Sequence, residues 1–302
     1  AMGSTWNKSM LLKAGQIIGR EAKALGYTNI YVPILDLARD PRWGRVVECY
    51  GEDPFLVTEL GKQTVLGVQS EKVGATLKHY AVYSMPKGGR DGDARTDPHV
   101  SPRELHQMYL YPFRRVIKET SPIGVMSSYN DWDGVPITGS YYFLTELLRK
   151  DFGFKGYVVS DSKAVEYIDS KHHVAKDYKE GVMQAVNAGL NVRTDFDMPD
   201  KFINPLRELV NENKVSTKTL DARVADVLRV KFKLGLFDYP YSEPSLADAI
   251  VNNEDAKSFS KQVSKEVLVL LKNNNALLPL NKSAIKKILV TGPLAADTLH
   301  SM

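Results

Sequence analysis

The chain has 302 residues, with 40 Lys and Arg against 36 Asp and Glu, 43% apolar and 25% charged residues, and one cysteine. These proportions are those of an ordinary globular chain and exclude intrinsic disorder, collagen-like repeats and a disulfide-stapled mini-protein. The formal charge of +4 is spread without any block of like charges, so it does not argue for nucleic acid, and no run approaches the roughly 18 apolar residues of a membrane helix.

In chain order, Leu11, Ala14, Ile18, Ala22 and Leu25 recur at helical spacing up to Gly26, which has the position of a C-terminal cap. Ile30 to Leu35 is a short apolar run of strand formers. Asp53-Pro54 then predicts a helix start, with Val57, Leu60, Thr64 and Val68 on its inner face. Gly74 to Tyr80 predicts the second strand. Ser101-Pro102-Arg103-Glu104 is a capping box opening a helix to about Lys118. Ile123 to Met126 is the third strand, a helix follows Ser140, and Tyr157 to Val159 is the fourth. A helix over Lys179–Ala188 leads to a fifth strand, Leu190 to Arg193. Ser216 caps a long helix with Leu220, Val224, Val227, Leu228 and Leu234 inward and Gly235 at its end. Beyond 240, a Ser/Pro/Asn-rich stretch contains a predicted helix at Val267-Leu268-Val269-Leu270-Leu271. Ile288–Thr291 reads as a new strand. A strand with nothing after it builds no sheet, so the chain reads as a piece of a longer protein.

Five alternations of short apolar strand and helix predict a parallel sheet covered by helices. Every strand turns polar at its carboxyl end, where both doubly wound sheets and (β/α)8 barrels carry their ligand sites. With no Gly-x-Gly-x-x-Gly after the first strand and no Gly-Lys-Ser/Thr loop, the nucleotide-binding sheet loses support, and the barrel is preferred.

Asp161, directly after the fourth strand, is the strongest candidate for chemistry; capping the next helix is the alternative role. Lys78 and His79 reach one pocket only if their strand ends or bulges there, since neighbours in a strand face opposite ways. Without that, they are a solvated lysine beside a core histidine. In the loop after the first strand, Arg42, Trp43 and Arg45 suit a hydroxyl-rich ligand, the guanidinium groups donating to oxygens and the indole stacking on a sugar face. Loop salt bridges with Asp40 and Glu48 are the other use for these arginines. Lys87 to Asp93, with three glycines, reads as a loop over the barrel mouth rather than a phosphate cradle. His172-His173, His99 and His106 make no metal pattern, and no serine sits in a nucleophile elbow.

Asp40-Pro41-Arg42-Trp43-Gly44-Arg45 with Glu52-Asp53-Pro54 resembles the signature loop of glycoside hydrolase family 3. Lys78-His79-Tyr80, Met126-Ser127-Ser128-Tyr129-Asn130, the segment Gly153-Phe154 to Ser160-Asp161, and Leu270-Leu271-Lys272-Asn273 with Leu278-Pro279-Leu280 follow in that family's order. The resemblance is closest to bacterial β-glucosidase and β-xylosidase types. It implies an α/β fold: a (β/α)8 TIM-type barrel over 1–240 lacking its N-terminal segment, a linker over 241–287, and at 288–302 the first strand of an α/β sandwich domain. It implies a retaining exo-β-glycosidase acting on terminal glucosyl or xylosyl residues, with Asp161 as the nucleophile. Arg45, Lys78 and His79 would hold sugar hydroxyls, with Tyr129 beside the nucleophile.

In most of the family the acid/base comes from the second domain, so none is expected in this chain. Residue 162 is Ser where many members carry a tryptophan. The implied partners are an oligosaccharide or an aryl or alkyl β-glycoside and the remaining segments of the same polypeptide. Neither nucleic acid nor membrane, and neither metal nor cofactor, is implied; a homo-oligomer is left open, and a periplasmic or secreted location would fit the family. Two alternatives remain: a β-N-acetylglucosaminidase using Asp97 and His99, and an inactive sugar-binding fragment; were the fragment to turn over substrate, Asp195 and Asp197 would be its in-chain proton-donor candidates, with loop capping as their other role.

Overall fold

The computed structural model describes residues 1–84 and 97–296. Its centre is a parallel sheet in the order β1 (Asn29–Ile30), β2 (Gly74–Tyr80), β3 (Gly124–Ser127) and β6 (Tyr157–Ser160). Single parallel bridges extend the sheet, Ile34 against Lys78 next to β1 and Val192 against Val159 beyond β6. The fifth predicted strand is therefore present as that one bridge. The first is interrupted, because Pro33 has no N–H to donate; its carbonyl still accepts from the Lys78 N–H at 3.1 Å.

Helices connect successive parallel strands, as parallel pairing requires. After α1 (Lys8–Ala24), β1 leads to α2 (Pro54–Ser70), and β2 to α3 (Pro102–Glu104), which continues through π-helical Leu105–Tyr109 into α4 (Leu110–Thr120). The hairpin of β4 (Asp131–Trp132) and β5 (Val135–Pro136) and a π-helix, Tyr142–Asp151, follow β3. Beyond β6 come α5 (Ala164–Ser170), α6 (Tyr178–Ala188), α7 (Asp200–Asn211), α8 (Thr217–Lys233), α9 (Ser245–Ile250) and α10 (Glu254–Glu266). The predicted caps form: Asp53 accepts from the Leu56 N–H at 2.7 Å, Ser101 from Glu104 at 3.2 Å and Ser216 from Thr219 at 3.0 Å.

The inner face of α2 is as expected, with Val57, Leu60, Thr64 and Val68 all buried. Along α1 the buried face is Leu11, Ala14, Gly15, Gly19 and Ala22, whereas Ile18 and Leu25 are exposed. The cause is close approach of two backbones: a Cβ on Gly15 would lie 2.7 Å from the Thr64 carbonyl oxygen, and one on Gly67 2.3 Å from that of Leu12. On α8 only Val230 is fully buried, while Val224 and Leu228 are exposed; Val227, Val230 and Leu234 pack on Ile123, Met126, Tyr157 and Val159.

Two compact units divide the chain, Ala1–Val267 and Leu268–Met302. The first extends past the expected boundary at 240, because α10 folds back on α1: Phe259 is buried with Met10 and Ala14, and Lys13 pairs with Asp255 at 3.2 Å. The helix predicted at Val267–Leu271 is absent; α10 ends at Glu266, and Leu268 to Leu271 are exposed. In the second unit, a single turn at Asn274–Ala276 is the regular element among the described residues, and Ile288–Thr291 pairs with no strand there.

Candidate active site

The carboxyl ends of β2, β3 and β6 bring Lys78, His79, Tyr129 and Asp161 together. The backbone of Asp161 is fixed by its N–H donating to the Ser127 carbonyl at 3.1 Å and its carbonyl accepting from Ala164 at 3.0 Å. Its Oδ1 accepts from the Ser162 N–H at 2.8 Å. Its Oδ2 is buried and makes no hydrogen bond of full geometry; it stands 3.6 Å from His79 Nε2, with the Tyr129 hydroxyl beside the carboxylate. Helix α5 has Lys163 at its cap position and no side-chain cap, so Asp161 does not serve as a helix cap. Buried polar atoms are nearly always satisfied, and an incompletely bonded carboxylate oxygen at a strand end is the kind of exception that marks a ligand-binding position.

How two adjacent residues of β2 reach one site is answered by the register. Pairing between β2 and β3 shifts between Leu77 and Tyr80, which releases the strand from strict alternation at Lys78 and His79. Lys78 is half-buried, and burial, followed by the charge of Arg45, lowers its pKa; Asp161, Glu48 and Asp36 act in the opposite direction. His79 is buried, and Asp36 Oδ2 stands 2.7 Å from its Nδ1 and 3.1 Å from its backbone N.

Asp36 was missed in the sequence. The available signal was the one used for Asp161, an acid placed immediately after an apolar strand run, here Ile30 to Leu35.

Loop 40–48 contributes Arg45 but not the sugar-stacking indole expected of it. Trp43 is 2% exposed and packs edge-on against Tyr83, with ring centres 5.4 Å apart, so neither face is free for a sugar. Arg42 turns to Asp40 at 2.6 Å, and Arg45 forms two hydrogen bonds to Glu48, of 2.5 and 2.8 Å. Both loop salt bridges named as the other use of these arginines are therefore present. Arg45 also lies over Tyr83, 5.7 Å from the ring centre.

Tyr83 is the hub of the cluster, edge-on to His79 at 5.2 Å and to Tyr129 at 5.6 Å. Its hydroxyl is buried beside the Arg45 guanidinium, and burial pushes its pKa up to about 12 against the lowering effect of that cation. Burial, then the charge of Asp161, holds the Tyr129 hydroxyl above the usual phenol range.

The other candidates lie elsewhere or are engaged. Asp97 and His99 face one another at 3.5 Å, with His99 largely exposed. Asp195 is tied to Arg193 at 2.6 Å and caps its own loop through the Phe196 N–H; Asp197 pairs with Lys201. Lys87 to Asp93 lies outside the described residues. Among the described residues, no group of His, Cys, Asp and Glu is arranged to hold a metal ion. A cavity of about 930 Å³ is lined by Gly26, Thr28, Gly74 and Ile123, at the amino ends of the strands and thus remote from Asp161.

The profile described as "Glycosyl hydrolase family 3 N terminal domain" matches residues 1–230. A putative beta-xylosidase of Formosa agariphila is 36% identical over 99% of this chain and 40% of its own length. A β-glucosidase involved in saponin metabolism from intestinal bacteria superposes with a TM-score of 0.90 at 32% identity, covering 98% of this chain and 39% of the other. The β-glucosidase of Listeria innocua in complex with glucose gives 0.85 at 32% identity, over 92% and 39% of the two chains. The chain thus spans about two fifths of the length of these relatives. At these scores the parallel sheet and its helices are a TIM-barrel-like α/β fold.

Proposed function

Because the chain belongs to glycoside hydrolase family 3, we propose that it is the nucleophile-bearing part of a retaining exo-β-glycosidase acting on terminal β-glucosyl or β-xylosyl residues. The observation that carries this reading is the Asp161 carboxylate, with one oxygen buried and incompletely bonded at the end of a central strand, facing His79. In this mechanism that oxygen attacks the anomeric carbon as the aglycone oxygen leaves, forming a glycosyl-enzyme that water then hydrolyses.

Lys78, Arg45 and His79 supply donors for the glycone hydroxyls, and such contacts favour the flattened, oxocarbenium-like transition state where they tighten with it. Tyr129, whose raised pKa keeps its proton at working pH, is a donor beside the nucleophile.

A retaining site needs a second carboxyl about 5–5.5 Å from the first. Among the described residues, the nearby acids have other partners, Asp36 with His79, Glu48 with Arg45 and Asp195 with Arg193. On the family's pattern, we assign the acid/base to the part of the relatives' length that this chain does not span. The relatives' names, beta-xylosidase and β-glucosidase, are the support for the sugar class.

The test is made in the full-length polypeptide. Asp161→Ala should lower turnover of aryl β-glucosides and β-xylosides by orders of magnitude, and a 2-deoxy-2-fluoro glycoside should leave its sugar on the peptide containing Asp161. Near-normal turnover, or an adduct on another residue, refutes the assignment. Faster cleavage of N-acetylglucosaminyl substrates would select the Asp97 and His99 alternative.

A further inference from the structure

We propose that Asp36 is a positioning residue that fixes the imidazole proton of His79 on Nδ1, so that Nε2 is the atom presented to Asp161 and to a bound sugar. The parallel register puts it there. Ile34 bridges Lys78, and the Leu35 N–H donates to the Lys78 carbonyl at 2.7 Å. One residue on, the ladder is continued by a side chain, as Asp36 Oδ2 accepts the His79 backbone N–H at 3.1 Å. The same oxygen lies 2.7 Å from Nδ1, and both side chains are 1% exposed. An ionised carboxylate can only accept, so the ring nitrogen facing it is the donor.

A proton committed at Nδ1 leaves Nε2 as the ring nitrogen that faces the site, 3.6 Å from Asp161 Oδ2. The charged and titratable groups around the ring are Asp36, Asp161, Lys78, Arg45 and Glu48, with the Tyr83 ring at its edge. Asp36 touches neither sugar nor nucleophile in this scheme; it acts through the plane and tautomer of His79. The consequence for hydrolysis rests on the proposed function, whereas the placement of the proton does not.

The experiment records ring ¹⁵N signals of labelled histidine in the purified chain across a pH titration, with His79 assigned by its loss in His79→Gln. The expected result is that the neutral ring carries its proton on Nδ1. Asp36→Ala should move that proton to Nε2, and Asp36→Asn, which keeps an accepting oxygen, should leave it on Nδ1. A neutral wild-type ring protonated on Nε2, or a tautomer unaltered by Asp36→Ala, overturns the proposal. The wild-type spectrum decides it even where a variant does not fold. In the full-length polypeptide, Asp36→Ala should lower kcat about 10- to 100-fold, with Asp36→Asn recovering much of the loss. Should Asp161→Ala prove fully active while the tautomer is as stated, the functional reading fails and the positioning role of Asp36 stands.

Discussion

Two aspartates lie past the carboxyl ends of β1 and β6, which flank β2 and β3 in this sheet, and their replacement by alanine should have unequal consequences for stability. At Asp36, alanine leaves the His79 backbone N–H and ring N–H buried without an acceptor. Losing two buried hydrogen bonds to a carboxylate, each worth about 1.5–3 kcal/mol, costs about 3–5 kcal/mol. At Asp161, alanine removes one hydrogen bond, from Ser162, worth about 1.5–3 kcal/mol for a charged acceptor. It also removes a buried oxygen that makes no hydrogen bond of full geometry, whose desolvation costs about 1–3 kcal/mol. The two terms nearly cancel, so the net change at Asp161 should stay within about 1 kcal/mol of zero, at least about 2 kcal/mol less than at Asp36. Urea titrations of wild type and both variants measure this directly, provided that the three share one slope, so that midpoint shifts report stability alone. Equal losses at the two sites would refute the reasoning, because Asp161 would then be a structural acid rather than one held in readiness for a ligand.

Three further outcomes are expected. Lys78→Met should stabilise the protein at pH 7. Burial lowers the pKa of Lys78 in the folded state, so the charged form costs stability below that value, and the cost disappears as pH rises through it towards the ordinary lysine range near ~10.4. The advantage of the variant over wild type, measured from melting curves, should therefore shrink between pH 7 and pH ~10.5; an advantage that grows with pH contradicts the sign. Arg149→Met should destabilise by about 3–5 kcal/mol in a urea titration, since Arg149 pairs with Asp226 at 2.9 Å and donates to the Gly189 carbonyl and Asn191; a loss below 1 kcal/mol would show the pair to be replaceable. Gly124→Ala should cost about 1–3 kcal/mol in the same assay, because its Cβ would stand 2.2 Å from Thr76 Oγ1, which bonds Asn29 at 2.7 Å and Tyr157 at 3.1 Å; an unchanged midpoint would mean that this network yields freely.

Local chemistry was what could be read from the chain before any contact was known. Caps at Asp53, Ser101 and Ser216, the buried face of α2, and an acid placed after an all-apolar strand at Asp161 follow from neighbours a few residues apart. The same local rule applied to Ile30–Leu35 would have singled out Asp36. What it could not supply is the partner, 43 residues away, whose burial makes that carboxylate a ligand of His79. Trp43 was misjudged for a related reason: its indole suits sugar stacking in isolation, but Tyr83 covers it.

The sequence by itself determined the alternation of strand and helix, the parallel class of the sheet, the polar carboxyl ends of its strands and the family. Each rests on periodicity, caps or short motifs, which are properties of contiguous residues. Only tertiary structure decided which side chains share the site. The register of β1 and its extension against β2 seats Asp36 on His79, and the shift between β2 and β3 lets Lys78 and His79 point to one end. The crossing of α1 on α2 through glycine turns Ile18 outward. Register and close approach are relations between segments, and a displacement of one residue reverses every side chain without altering the local pattern.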